Sequence, residues 1–252
     1  MSKPQLTKDI WLAALRTEGD AFRAALNSGT PIDAPVPTCP GWSLGELAWH
    51  VSLVYGYVTG HVARGVLDRP ELRRTDPLPE DVDVVAAWTD AFTELVATLD
   101  AVDPELPAWN FAPQAKKASF WHRRMAHETA IHRWDAQMAG GLAEPIEGRL
   151  ASDGVTEVLD SWLPSGRRSG PEDRAGMIAL HATDVDQVWY VRLRGAGIAL
   201  LDTDTLLDSD DHHERATASG PASDLALALW GRVPFDTLLV SGDAGLLRGL
   251  LA

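Results

Sequence analysis

Basic charge, cysteine and long apolar runs are what this 252-residue chain has least of. Lys and Arg total 22 against 36 Asp and Glu, a formal charge of −14. A surface of that sign repels phosphate backbones and anionic lipid headgroups, which argues against nucleic acid and membranes as partners. Cys39 is the single cysteine, so no internal disulfide is available, and the opening MSKPQLTKDI has no apolar core of a secretory signal. These features place the chain in the reducing cytoplasm. No apolar stretch approaches the roughly 20 residues that a membrane-spanning helix requires; Asp, Glu, Arg or Gly interrupts each one within a few positions.

The rest of the composition is ordinary for a globular protein, with 45% hydrophobic and 23% charged residues, 21 Gly and 16 Pro, outside the collagen-like, disordered and disulfide-scaffold classes. At about 150 residues per domain the length fits one large domain or two modest ones. Tryptophan is abundant, with ten residues, seven of them before position 135. Indole combines a large apolar area with one donor, so the N-terminal part frames a pocket as well as a core.

Up to about residue 142 the periodicity is helical. Trp11, Leu15, Phe22 and Leu26 form one stripe, with Asp9 as cap and the breakers Ser28, Gly29 and Pro31 after it. Ser43 and Glu46 make an S-x-x-E capping box, so a second helix starts near Leu44 and carries Leu47, Val51, Val54 and Val58 on one face. A third spans 82–101 through Trp88, Phe92, Leu95 and Leu99. A fourth spans 119–139 and ends at Gly140 and Gly141. Four amphipathic helices predict a four-helix bundle. Beyond it the pattern changes: 152–163, 222–230 and 244–251 read as helices, while MIALHAT, VWYVRL, GIALL and TLLVSG have strand character. The fold class is therefore α followed by α+β with a mostly antiparallel sheet, the domains covering 1–142 and 148–252. The acidic stretch DTDTLLDSDDHHER reads as an exposed connection.

The fourth helix carries the chemistry. Its inward stripe runs Trp121, Met125, Glu128, His132, Asp135 and Ala139, and a carboxylate facing a bundle interior costs several kcal/mol unless something compensates it. Glu128 and His132, one turn apart, can converge on a single metal ion, and His50 on the second helix points into the same interior. Two imidazoles and one carboxylate suit a divalent ion, zinc by default, although iron or nickel accepts similar ligands. Three protein ligands leave a coordination position open, as catalytic sites do. The same three residues also suit a buried hydrogen-bonded cluster. The H-E-x-x-H motif of metalloproteases is absent, because Ile131 stands where its second histidine belongs. His122 and His127 fall off the stripe, at the surface or in support of the ligands; His61 is expected exposed, and His212 and His213 lie in the acidic connection. Asp135 orients a ligand imidazole or binds the cofactor, or else pairs at the helix end with Arg133 or a neighbour. Cys39 precedes a helix start, where a thiol pKa falls, but TCPGW reads better as a fixed turn with Trp42 packed ahead of the capping box. Trp49 with Tyr55 or Tyr57 lines a pocket mouth or packs in the core.

The segments TCPGWSLGELAWH (38–50), MAHETAIHRWD (125–135) and ASGPASDLALALWGR (218–232) resemble signature stretches of the mycothiol-dependent maleylpyruvate isomerase family. The resemblance implies a DinB-like four-helix bundle followed by a sterol-carrier-like α+β domain, with His50, Glu128 and His132 at the positions of that family's metal ligands. It further implies that the metal takes the thiol of mycothiol, since coordination to a dication deprotonates a thiol at neutral pH. The thiolate would then attack a small electrophile, giving cis–trans isomerisation or S-transfer. Arg232 matches an arginine required in the isomerases, and its guanidinium fork suits a dicarboxylate such as maleylpyruvate; a surface arginine between a helix and a strand is the other possibility. The competing function is a non-catalytic binding protein of the same fold that carries an apolar ligand. The sequence leaves open whether the chain is a monomer or a homodimer, and the charged insert 66–83 is expected to influence substrate choice.

Overall fold

The computed structural model describes residues 7–71, 77–201 and 214–252. The chain forms two compact units, Met1–Asn110 with Gln114–Glu144, and Phe111–Pro113 with Pro145–Ala252. Residues 72–76 of the charged insert, and the acidic connection through His212 and His213, lie outside the described residues.

The first unit is a four-helix bundle of α1 (Lys8–Leu26), α2 (Leu44–Val62), α3 (Val84–Ala101) and α4 (Ala118–Ala139). Helix α1 packs on α3 and α4, and α2 on the same two, which closes the ring. The residues whose spacing predicts the helices also fill the core: Leu15 and Phe22, Leu47 and Val51, Trp88 and Leu95, and Met125 are all buried. Phe22 stacks on Trp88 with ring centroids 4.8 Å apart, and Trp88 on Phe92 at 5.1 Å. Helix α1 is capped at Thr7 rather than Asp9, which lies in the first turn facing the positive end of the helix dipole.

Helix α4 departs from a one-sided stripe. Its buried residues run around the whole cylinder and include His122, Arg124, His127, Arg133 and Asp135. Neither His122 nor His127 is at the surface. The ring nitrogens of His122 lie 2.9 Å from the Ala118 carbonyl and 2.8 Å from that of Leu99, and His127 meets Trp11 edge-on at 5.5 Å. Arg133 Nε donates to Glu18 Oε2 on α1 at 2.7 Å, and its Nη1 donates to Gln137 Oε1 at 2.8 Å. A helix covered on all sides must pair every polar group it carries, because water cannot.

The second unit holds a five-stranded sheet of β1 (Ala175–Ala182), β2 (Gln187–Arg194), β3 (Gly197–Leu201), β4 (Arg215–Gly220) and β5 (Leu239–Gly242), in the order β3-β2-β1-β4-β5. Three pairings are antiparallel and β1–β4 is parallel. Ile178, Leu180, Trp189, Val191, Ala216 and Ala218 are buried on one face, and α6 (Ala222–Leu229) packs on β1 and β4. Strand β4, RATASG, goes unpredicted because its residues are small; pairing on both sides and the burial of Ala216 and Ala218 make it a strand. The expected helix at 152–163 is α5 (Gly148–Glu157), continued by a π-helical turn and a 3-10 turn that ends at Gly166, whose φ of 76° needs glycine. The segment Ala244–Leu250 is 3-10 rather than α-helical. No helix among the described residues is long and apolar enough to cross a membrane.

Candidate metal centre

The segment before α2 is fixed by its own backbone. Pro35 and Ser43 form an antiparallel bridge. Trp42 N–H donates to the Cys39 carbonyl at 3.0 Å around Gly41, whose φ is 86°. Pro40 and Gly41 therefore occupy the central positions of a type II turn, whose second central residue requires positive φ. Ser43 then opens α2 through a reciprocal capping box: its N–H donates to Glu46 Oε2 at 2.7 Å, and Glu46 N–H donates to Ser43 Oγ at 3.2 Å. These constraints set the rotation of α2, and with it the direction of His50.

The bundle brings His50, Glu128 and His132 together, with one donor atom of each within 4.8 Å of the others. Glu128 Oε1 lies 3.3 Å from His132 Nε2 and 3.9 Å from His50 Nε2. Zinc ligand atoms about 2.1 Å from a tetrahedral ion sit roughly 3.4 Å apart, so the spacing and the donor chemistry fit a divalent ion. The other nitrogen of His132 is committed: Nδ1 donates to Asp135 Oδ2 at 2.9 Å, and Thr38 Oγ1 donates to Asp135 Oδ1 at 2.6 Å. A carboxylate on Nδ1–H fixes the ring with Nε2 toward Glu128, so that Nε2 would offer its lone pair to an ion there once its proton has left, the arrangement that supports histidine ligands in metal sites. Asp135 thus bonds His132 and Thr38, and Arg133 turns instead to Glu18. The Trp42 ring lies 4.8 Å from that of His50 and is partly exposed.

Charge in the cluster is tightly coupled. Burial alone would raise the Glu128 pKa, but Arg124, then His132 and His50, outweigh it and hold the carboxyl well below the usual range. Burial opposes a charge on His132, yet Glu128 and Asp135 prevail and push its pKa up to about 9. The Tyr55 hydroxyl, 2.6 Å from Thr129 Oγ1, is driven upward by burial against that hydrogen bond, with Glu128 adding to the rise, so it stays neutral.

Several expectations change here. Of the two roles open to Tyr55, the structure shows the core one, since it is fully buried. His61 is buried rather than exposed, with Nδ1 2.6 Å from the Tyr57 carbonyl; burial pushes its pKa down. Cys39 is half-buried, and its sulfur lies within 4.8 Å of donor atoms of His132 and Asp135, nearer the centre than its role as a turn residue implies. Arg232 belongs to the second unit, beyond the end of α6, where Nη1 donates to the Trp230 carbonyl at 2.9 Å. Sequence reasoning misses Arg124, buried and bonded to Glu128 Oε2; the R-x-x-x-E spacing on one helix face is the signal that would have found it. It also misses Thr38, which no local pattern marks.

Comparison with known proteins adds to this geometry. The family model described as the mycothiol maleylpyruvate isomerase N-terminal domain matches residues 12–137, and the one described as the MDMPI C-terminal domain matches residues 149–249. A crystal structure of the mycothiol-dependent maleylpyruvate isomerase superposes with a TM-score of 0.65 at 13% identity, covering 94% of this chain and 93% of that one. A histidine-to-alanine mutant of that enzyme gives 0.63 over the same shares. At this identity the likeness establishes a common fold. No curated protein matches the sequence significantly.

Proposed function

Since the chain belongs to the mycothiol maleylpyruvate isomerase family through both of its domains, we propose that it is a metal-dependent enzyme using the thiol of mycothiol on a small electrophilic substrate. The observation that carries this reading is the convergence of His50, Glu128 and His132, with the second nitrogen of His132 tied to a buried carboxylate. Those three residues would hold the ion, zinc by the chemistry of the donors. Once bound, a dication supplies Lewis acidity that makes a thiol placed against it a thiolate at neutral pH.

The protein's own groups do the rest. Asp135 and Thr38 hold the His132 ring in its ligating tautomer. On the family resemblance alone we propose Arg232 for carboxylate recognition, since its guanidinium suits the bidentate pairing that a dicarboxylate offers. Addition of the thiolate to an unsaturated carbon, rotation about the former double bond and expulsion of the same thiolate would give cis–trans isomerisation; an adduct that instead takes up a proton and stays together would give S-transfer. A reducing cytoplasm is the compartment in which such a cosubstrate remains a thiol. The test is turnover of maleylpyruvate, and of a panel of unsaturated acids and epoxides, with mycothiol and zinc present. Isomerisation without thiol consumption identifies an isomerase, and stoichiometric consumption a transferase. A zinc-loaded protein that does neither, and binds an apolar ligand instead, refutes the enzyme reading.

A further inference from the structure

We propose that Arg124 is a positioning residue of this centre, confining Glu128 to one ligating oxygen and leaving a surplus positive charge for an incoming thiolate. The inference rests on the metal-and-thiol reading above. Its ground is a division of labour within one carboxylate. Oε1 of Glu128 faces His132 Nε2 at 3.3 Å and His50 Nε2 at 3.9 Å, whereas Oε2 accepts from Arg124 Nη2. Arg124 stands one turn before Glu128 on α4, and its side chain is 4% exposed. A guanidinium keeps its charge at every accessible pH, and from a buried position it cannot exchange Oε2 for water without a large desolvation penalty. The carboxylate is thereby kept from presenting both oxygens to a cation.

Glu128 and Asp135 bring two negative charges to the buried cluster and Arg124 one positive. A divalent ion held by neutral imidazoles adds two, so the loaded cluster carries one net positive charge, and a single thiolate neutralises it. With a neutral residue at position 124 the cluster is already neutral with the ion alone. A thiolate would then create an unpaired charge where such charge is costly. The released Oε2 would also turn to the ion and fill the position a thiol needs.

Cobalt(II) in place of zinc provides the readout, because its visible absorption reports coordination number and bound thiolate adds a sulfur-to-cobalt charge-transfer band. The probe thiol is N-acetylcysteine. Arg124→Gln is expected to hold cobalt at least as tightly as the unaltered protein in chelator competition, while its affinity for the thiol falls tenfold or more. Arg124→Lys, which restores the charge, should recover most of that loss. An unchanged thiol titration in Arg124→Gln overturns the proposal, as does cobalt affinity that falls together with thermal stability and is not rescued by lysine. Should Arg124→Gln fail to fold, the crystal structure of the zinc-loaded unaltered protein decides the matter. One Glu128 oxygen on the ion and the other on Arg124 upholds the inference, and a bidentate carboxylate overturns it. If the unaltered protein takes up no cobalt, the metal reading fails and this inference with it, an outcome distinct from a loaded protein indifferent to residue 124.

Discussion

Replacing Asp135 probes the centre where its geometry is most constrained. The carboxylate is fully buried and accepts from His132 Nδ1 at 2.9 Å and Thr38 Oγ1 at 2.6 Å. A hydrogen bond to a charged group contributes ~1.5–3 kcal/mol, and each buried donor left unpaired costs ~1–3 kcal/mol. Asp135→Ala breaks both bonds and leaves the buried His132 Nδ1–H without its acceptor, while the Thr38 hydroxyl is only half-buried, so the metal-free fold should lose about 3–6 kcal/mol. Only part of that reaches the ion, through loss of the bond that fixes the His132 tautomer. Removing a carboxylate behind a ligand histidine lowers metal affinity by about 10–100-fold, or ~1.4–2.7 kcal/mol, which is close to the worth of the one broken His132 bond. Asp135→Asn keeps an oxygen for Nδ1–H and an amide N–H for Thr38 Oγ1, so its loss should stay below about tenfold. Zinc affinity measured by competition with a chromophoric chelator, beside thermal unfolding of the stripped protein, separates the two quantities. An Asp135→Ala protein that melts lower yet binds zinc as tightly as the unaltered one refutes the reasoning.

Glu128→Ala and His132→Ala should each abolish stoichiometric zinc binding and thiol-dependent turnover while circular dichroism retains the helical signal; full zinc occupancy in either variant would remove that residue from the ligand set. Arg232→Ala is expected to raise KM for a carboxylate substrate about tenfold or more with zinc content unchanged, and unaltered kinetics would take Arg232 out of the site. In the stripped protein, His132 has a folded pKa near 9 against 6.5 when free. Its stabilisation is therefore complete below pH ~6.5 and is lost as the pH rises through about 9. Glu128, depressed from 4.5, contributes above that pH and loses its contribution as acid protonates it. The melting temperature should fall on both sides, and His132→Gln should flatten the alkaline limb; an identical limb in the two proteins would contradict the coupling.

What the sequence reveals and what it hides divide along a physical line. The bundle is legible because each of its helices is announced locally, by a stripe such as Leu44, Leu47, Val51 and Val58, by the Ser43–Glu46 box, or by the glycine pair that closes α4. The sheet is legible where β-branched and aromatic residues alternate, as in β2, and illegible in β4, whose alanines become a strand only because β1 and β5 flank it. The same line runs through the site. His50, Glu128 and His132 stand out because polar groups on an apolar stripe contrast with their neighbours. Arg124 and Arg133 do not, since a stripe reading assumes that α4 has a solvent face for them, and α4 is covered all round. In sequence the two arginines look alike, each one turn before a residue able to accept its hydrogen bonds, Glu128 or Gln137. In the fold they differ in kind: Arg133 reaches 115 residues back to Glu18 and ties α4 to α1, whereas Arg124 spends its charge on the carboxylate that faces His50 and His132. A helix buried on every side therefore mixes structural and functional charges beyond what periodicity can sort. What separates them is the identity of the opposing group: a buried pair that shares no atom with the imidazole cluster holds the bundle together, and one that occupies an oxygen of Glu128 sets the charge of the centre.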